Sequence, residues 1–477
     1  MDMSKVSSLT KITTVGIFSF SLVACAVSTD YDRKVGAQNA ELVELQMGVY
    51  DQGEIDEYVQ QIGARLVSEL ENPEFEFHFK VVDDPVPNAF ALPGGYIFVS
   101  RGLLSLVNSE DELACVIGHE IIHVTQRHAV KQMRSGVLPG IAELPGNIVG
   151  GVINEDLGNF INAPISAGNQ LLMAGYSRSH ESEADRLGIA LAAKAGYDPL
   201  AMNSILTRLN RSVEIQTQQT SERSYFDSHP FTPDRVTAVT KEAKSLTIAE
   251  LAPIHPEFIP YLDGMLMGQN PAKGVFKGQT FLQPDMKFAI DFPEKWETAN
   301  QPTAVGAVDK EQDAAVILGI ASNEFTAKEH ALRFQAEIKR QYGKELPIAE
   351  EKLAGGNTYY SVTLEAKRDG AMSYLTRGWA NLGIDTYQMI SIASEDKKAV
   401  AQKSVTSFRP ISDKELASVT KHEIKVVNAT KGQTIEDLIR GTASKDSAEL
   451  VAVMNDVQKD QPLGIDEQVK LVVEKQY

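Results

Sequence analysis

The chain has 477 residues, enough for about three domains of ordinary size. Apolar residues make up 43% and charged residues 23%, a globular balance that excludes a disordered or fibrous protein. A net charge of −18 argues against nucleic acid as a partner and against a general attraction to anionic lipid, and only two cysteines, Cys25 and Cys115, leave no disulfide scaffold.

At the N-terminus, Lys5 and Lys11 precede an apolar run from Ile12 to Ala24 that is too short to span a bilayer. A basic start, a short apolar middle and small residues at its end read as a secretory signal over residues 1–24. The run ends Leu22-Val23-Ala24-Cys25, which resembles a bacterial lipobox. That resemblance implies a lipid on Cys25 as the chain's membrane contact. Because Ala26 rather than Asp follows, it also implies attachment to the outer membrane facing the periplasm.

Residues 25–38 read as a lipidated tether. Between Glu41 and Leu70, the residues Leu42, Leu45, Ile55, Val59, Ile62 and Leu66 recur at helical spacing. Phe75–Val81 alternates as a half-buried strand should, residues 85–95 form a Pro/Gly loop, and Tyr96–Ser100 is a second strand. Ser109 or Asp111 caps a helix predicted to run to about Met133. The glycine-rich segment 135–170 reads either as a cover over a site or as a helical hairpin. A helix follows from Ser179 to about Ala195, another from Asp198-Pro199 through Leu209, and then a polar loop over 211–227.

Gly268-Gln269-Asn270-Pro271 is a turn before a linker. From 276 to 411, strands (Lys287–Phe292, Ala314–Ala321, Thr358–Leu364, Thr386–Ile392) mix with helices (Ala327–Tyr342, Asp396–Ser407) in what reads as an α/β accessory domain. Residues 420–477 read as strand, helix, helix, strand.

The chemistry lies in His119-Glu120-Ile121-Ile122-His123. Spacing i, i+4 puts the two imidazoles on one helix face, about 40° apart around the axis, which suits Zn²⁺. Glu120 is placed to reach a metal-activated water as general base without being a ligand. A third ligand is needed. His128 does not fit the metzincin spacing, which would need glycine at 126 and histidine at 129 where Gln126 and Ala129 stand, so it reads as an ordinary helix residue. In Ser177-Arg178-Ser179-His180-Glu181-Ser182-Glu183-Ala184-Asp185, Glu181 and Asp185 are also i, i+4. Such a pair can supply one carboxylate to zinc and a second to orient a ligand histidine. His180 and Glu183 compete as ligands but point along other faces. Cys115 reads as packing in the helix interior.

HEIIH, followed by SRSHESEADRLG, resembles the zinc metallopeptidases of the HtpX/BepA type, a gluzincin family. The strings Asn88–Gly95 and Ser228–Arg235 are similar to family stretches in the same order, and the resemblance covers roughly residues 36–265. It implies an α+β multidomain chain: a mainly helical gluzincin domain over 39–270 with a small edge-stranded sheet, then the accessory domain, then the 420–477 unit. It implies one Zn²⁺ held by His119, His123 and Glu181, with Asp185 behind the metal and Tyr96–Ser100 as the strand that binds extended substrate. Two residues stay open. His229 either caps the turn before Pro230 or sits at the cleft, where it stabilises the oxyanion or blocks the open zinc position, and Arg235 either binds the oxyanion or pairs with an acid.

The expected activity is hydrolysis of peptide bonds in misfolded or unfolded envelope and outer-membrane proteins, with an envelope scaffold or chaperone, or a peptidoglycan-associated protein with minor hydrolytic activity, as the alternative. Met286–Trp296 is loosely similar to small domains of the PsbP/Mog type, which implies only positioning or interaction. The last block resembles a LysM module, with Gly432-Gln433-Thr434 where Gly-Asp-Thr is usual; this implies contact with peptidoglycan.

Overall fold

In the computed structural model the described residues are 28–51, 54–134, 175–217 and 225–477, apart from 252–253, 255–256, 312, 369–370 and 443–446. The signal, Cys25, the 135–170 segment and part of the 211–227 loop lie outside them.

The N-terminal region is helical around one three-stranded sheet. Helix α1 (Thr29–Met47) opens on Ser28, whose side chain accepts from the Tyr31 N–H. Most of the stretch expected to be a tether is therefore helix, and it buries Asp32, Val35, Gly36 and Asn39. Its composition is polar because one face is exposed, while Asp32 on the buried face takes a two-pronged ion pair from Arg127 at 2.7 and 2.8 Å. Helix α2 (Ile55–Ser68) then leads into β1 (His78–Val82), β2 (Ala89–Leu92) and β3 (Tyr96–Ser100). The sheet order is β1-β3-β2, with β1 parallel and β2 antiparallel to β3. Tyr96–Ser100 is thus the central strand and β2 the edge, a correction to the sequence reading. The turn Pro93-Gly94-Gly95, with φ of 82° and 108° at its glycines, folds β2 back onto β3.

After α3 (Arg101–Leu106) comes α4 (Glu110–Thr125), capped by Ser109 and carrying Glu110, Asp111 and Glu112 in its first turn. Fourteen of its sixteen residues are buried, which makes it the central helix of the domain. The single long helix expected here is two. Arg127 takes a left-handed φ of 54°, ends α4, and lets α5 (His128–Arg134) set off in a new direction. Helix α6 (Arg178–Lys194), N-capped by Ser177, crosses α4 where two glycines meet. A Cβ on Gly188 would stand 2.8 Å from the Cα and N of His119, and one on Gly118 would stand 2.9 Å from the Gly188 carbonyl oxygen. Helix α7 (Ala201–Thr217) runs two turns past the expected end. Helices α8 (Tyr225–Ser228) and α9 (Pro233–Ala243) close the region.

Past β4 (Leu266–Met267) the chain becomes sheet-rich. Strands β5 (Val275–Lys277), β6 (Thr280–Gln283) and β7 (Phe288–Asp291) form one antiparallel sheet, joined by β15 (Arg409–Pro410). Strands β8 (Glu297–Gln301), β9 (Ala304–Val308), β10 (Ala315–Ile320), β11 (Ala349–Lys352), β12 (Thr358–Arg368), β13 (Ala371–Leu382) and β14 (Asp385–Ser394) form another, in the order β11-β12-β13-β14-β10-β9-β8. Every pairing is antiparallel, so the region is α+β rather than α/β. Helix α10 (Ala327–Tyr342) starts in a Thr326/Glu329 capping box and buries Phe334 and Ile338 against Val362 and Trp379. Helix α11 (Lys398–Thr406) and the short α12 (Asp413–Leu416) complete this part.

The last unit is β16 (Thr420–Asn428), α13 (Ile435–Arg440), α14 (Ala448–Met454) and β17 (Gln468–Gln476), with β16 and β17 antiparallel. It does not stand alone. β16 also pairs with β4, and Ile424, Met454 and Val472 join the core of the helical region. No helix among the described residues is long and apolar enough to cross a membrane.

Candidate metal centre

Helices α4 and α6 bring the sequence-selected residues to one point. His119, Glu120, Glu181 and His229 are 0% exposed and His123 is 2% exposed. The Nε2 atoms of His119 and His123 face each other at 3.0 Å. The Glu181 carboxylate stands 3.4 Å from His123 Nε2 and 3.7 Å from His119 Nε2. Ligands about 2.1 Å from a shared tetrahedral ion lie roughly 3.4 Å apart, so the three donors fit zinc. Two imidazole lone pairs aimed at each other at this range also repel unless a cation or proton lies between them. Glu120 supplies a second sign: both its carboxylate oxygens are buried with no hydrogen-bond partner among the described residues.

The remaining groups hold these in place. Asp185 Oδ1 lies 3.0 Å from His119 Nδ1, on the ring edge away from the cluster. Arg235 grips both Asp185 oxygens at 2.8 Å and reaches Glu181 Oε2 at 2.9 Å, so it pairs with acids. His229 enters from the start of the Pro230–Pro233 turn. Its Nδ1 is 3.2 Å from Glu181 and 3.4 Å from His119 Nε2, and its Nε2 is 3.6 Å from Glu120. Tyr225 stacks on it at 4.5 Å. With His229 included, four potential donor atoms lie within 4.8 Å of one another.

Burial pushes the Glu120 carboxyl up, against the pull of His229 and His119. Burial holds the His123 imidazole well below its ordinary value, which keeps it neutral as a ligand must be. For Glu181, burial acts upward, but His229, followed by His123, brings the carboxyl well below the usual range. For Asp185, burial again acts upward, and the hydrogen bonds from His119 and Arg235 outweigh it. His229 is raised: burial opposes its charge, and Glu181 and Glu120 more than restore it.

The other candidates fall outside the cluster. His180 stacks on His128 at 4.3 Å, and Glu183 pairs with His128 at 3.2 Å. Cys115 is fully buried one helical turn before His119, where it packs as expected. His128 is not an ordinary helix residue, because its Nδ1 lies 2.9 Å from His123 Nδ1. Sequence reasoning tested it only as a ligand, and the break at Arg127 gave no signal. Tyr176, stacked on His123 at 3.9 Å, was also missed. Ala91, Leu92 and Pro93 share a crevice with His123 and Tyr176, which puts the edge strand β2 beside the cluster. A second acidic group, Asp309, Glu311 and Asp313, is closed by the Lys397 ammonium.

Two histidines one turn apart, a glutamate between them and a carboxylate from a second helix define a zinc peptidase type of centre. Residues 54–243 match the profile of peptidase family M48. It is 36% identical over 203 residues to the putative beta-barrel assembly-enhancing protease of Vibrio cholerae, covering 42% of this chain and 41% of that one. It is 34% identical over 159 residues to the beta-barrel assembly-enhancing protease of Escherichia coli K12, covering 32% of each. It is 28% identical over 180 residues to the mitochondrial metalloendopeptidase OMA1 of Schizosaccharomyces pombe, covering 38% of this chain and 50% of that one. The aligned region thus spans half or less of the length of each of these relatives. A solution structure of cyanobacterial PsbP from Synechocystis aligns over 28% of this chain and 95% of its own at 14% identity and a TM-score of 0.23.

Proposed function

We propose that the chain is a zinc-dependent endopeptidase of the bacterial cell envelope. The observation that carries this is the convergence of His119 Nε2, His123 Nε2 and the Glu181 carboxylate beside a buried, unpartnered Glu120. When bound there, zinc lowers the pKa of a water toward ~7 and polarises a peptide carbonyl. Glu120 would serve as proton acceptor for the attacking water and as donor to the leaving amine; its raised carboxyl suits a group that must both accept and return a proton. Asp185 holds His119 by its far nitrogen, and Arg235 fixes Asp185 and Glu181 together. A catalytic zinc site keeps one position open to water or substrate, and His229, whose ring nitrogen lies among the donor atoms, would compete for it in a resting state.

The edge strand β2 would take an extended polypeptide by backbone hydrogen bonds, giving little side-chain selectivity. That suits misfolded or unfolded envelope proteins, including outer-membrane proteins, and is in keeping with two bacterial relatives being beta-barrel assembly-enhancing proteases. In this reading residues 39–270 carry the chemistry and 276–411 position partners. The 420–477 unit contacts peptidoglycan while docked on the catalytic part, and a lipid on Cys25 holds the chain at the outer membrane.

The test is hydrolysis of an unfolded protein by the parent and by Glu120→Gln. The proposal expects the variant to keep its zinc and lose about 10³-fold or more of the rate. Equal rates would turn the reading toward a scaffold.

A further inference from the structure

We infer that His128 is a positioning residue for the metal ligand His123, and that Glu183 fixes the order of protons behind it. The inference deepens the proposed function, since it rests on His123 being a zinc ligand.

His123 presents Nε2 to the donor cluster, 3.0 Å from His119 Nε2 and 3.4 Å from Glu181. A ring nitrogen that faces a metal carries no proton, so the proton of the neutral ring sits on Nδ1. That N–H needs an acceptor. Among the described residues the atom in reach is His128 Nδ1, 2.9 Å away in a buried setting. His128 must then be unprotonated at Nδ1 and protonated at Nε2. Its Nε2 lies 3.2 Å from the Glu183 carboxylate, which can only accept. One order of protons satisfies all three groups: His123 donates to His128, and His128 donates to Glu183. The reverse order would put the His123 proton on Nε2, pointing into the ligand cluster. His119 gets the same service from Asp185 directly, at 3.0 Å. Each ligand histidine is thus backed by a carboxylate, one directly and one through a second imidazole.

The fold builds this on purpose-made geometry. In an unbroken helix, residue i+5 lies about 140° around the axis from residue i. The left-handed turn at Arg127, held by Asp32 of α1, brings His128 back beside His123. His180 stacks on the other side of the His128 ring at 4.3 Å and 12°, and so fixes its plane.

The test measures the zinc dissociation constant of the full chain, by competition with a chromophoric chelator at one pH, alongside apo-protein melting temperature. His128→Phe keeps the ring stack and loses both nitrogens; its constant is expected to rise about 10–100-fold. His128→Asn keeps an acceptor oxygen near the Nδ1 position, and its constant is expected within a few-fold of the parent. A packing role alone would give the reverse ranking. Glu183 is exposed enough for Glu183→Ala to leave folding intact. That variant is expected to weaken zinc several-fold in the parent and to add nothing in the His128→Phe background. The inference is overturned if His128→Phe binds zinc like the parent, if His128→Asn is as weak as His128→Phe, or if Glu183→Ala has no effect. A parent that binds no zinc overturns the proposed function as well, so the two failures are distinguishable.

Discussion

Asp185 touches both halves of the centre: it stands behind the His119 ring and is the main anchor of Arg235. Asp185→Asn keeps the shape but gives up the charge that both neighbours face. It is expected to weaken zinc by about 10–100-fold, read by chelator competition, with folding retained. His229 is the opposite kind of residue in the proposed reading, where its removal would open the site. His229→Ala is expected to raise the rate of hydrolysis of an unfolded protein several-fold, where a group that stabilises the oxyanion would lower it. At this scale the sequence was most informative. The spacing of His119, Glu120 and His123, and of Glu181 and Asp185, is a property of one helix turn, so it survives translation into structure. His128 and Tyr176 were hidden because their roles depend on a backbone break and on a contact between distant segments.

Helices α4 and α6 approach closely because Gly118 and Gly188 leave no side chain between their backbones. This contact sets the distance from Glu181 to the two histidines. Gly188→Ala would place a methyl group against the His119 backbone, which cannot move aside as a side chain end could. It is expected to cost about 1–3 kcal/mol of stability and to weaken zinc at the same time, measured by denaturant unfolding and metal competition. Strand order was not legible from the sequence. β2 and β3 both read as short apolar stretches, and which one pairs on both sides depends on where β1 docks. Strand β13 went unseen for a local reason. Gly378, Arg377 and Asn381 blur its alternation, yet a Cβ at Gly378 would collide with the Tyr359 ring, so glycine is there for packing.

The C-terminal unit is built into the N-terminal helical region rather than hung from it. Buried Lys470 donates to the carbonyls of Ser105 and Val107 at the end of α3, and Arg208 joins Glu112 of α4 to Asp456. Lys470→Ala leaves those carbonyls without their donor and is expected to destabilise the chain by about 1–3 kcal/mol in denaturant. A second clasp ties the linker down: Asp83 binds Arg101, Asn270 and Lys273, while Arg101 also donates to the Leu266 carbonyl. Burial acts to raise the Asp83 carboxyl, but Lys273 and Arg101 outweigh it and hold it below its ordinary value. The unfolded chain therefore binds a proton there at a higher pH than the folded one. The clasp contributes fully above about pH 4, and its contribution is lost as pH falls through the folded value. Melting temperature should fall more steeply with acid in the parent than in Asp83→Asn. None of this was readable beforehand, because most of these contacts join residues more than 100 apart in the chain and no local pattern records them.

The central claim is that His119, His123 and Glu181 hold a single zinc ion that Glu120 serves without binding. Zinc per chain, measured on the purified parent, His119→Ala, Glu181→Ala and Glu120→Gln, tests it most directly. The account predicts one zinc in the parent and in Glu120→Gln, and none in the other two. Zinc retained in Glu181→Ala, or no zinc in a folded parent, would contradict it.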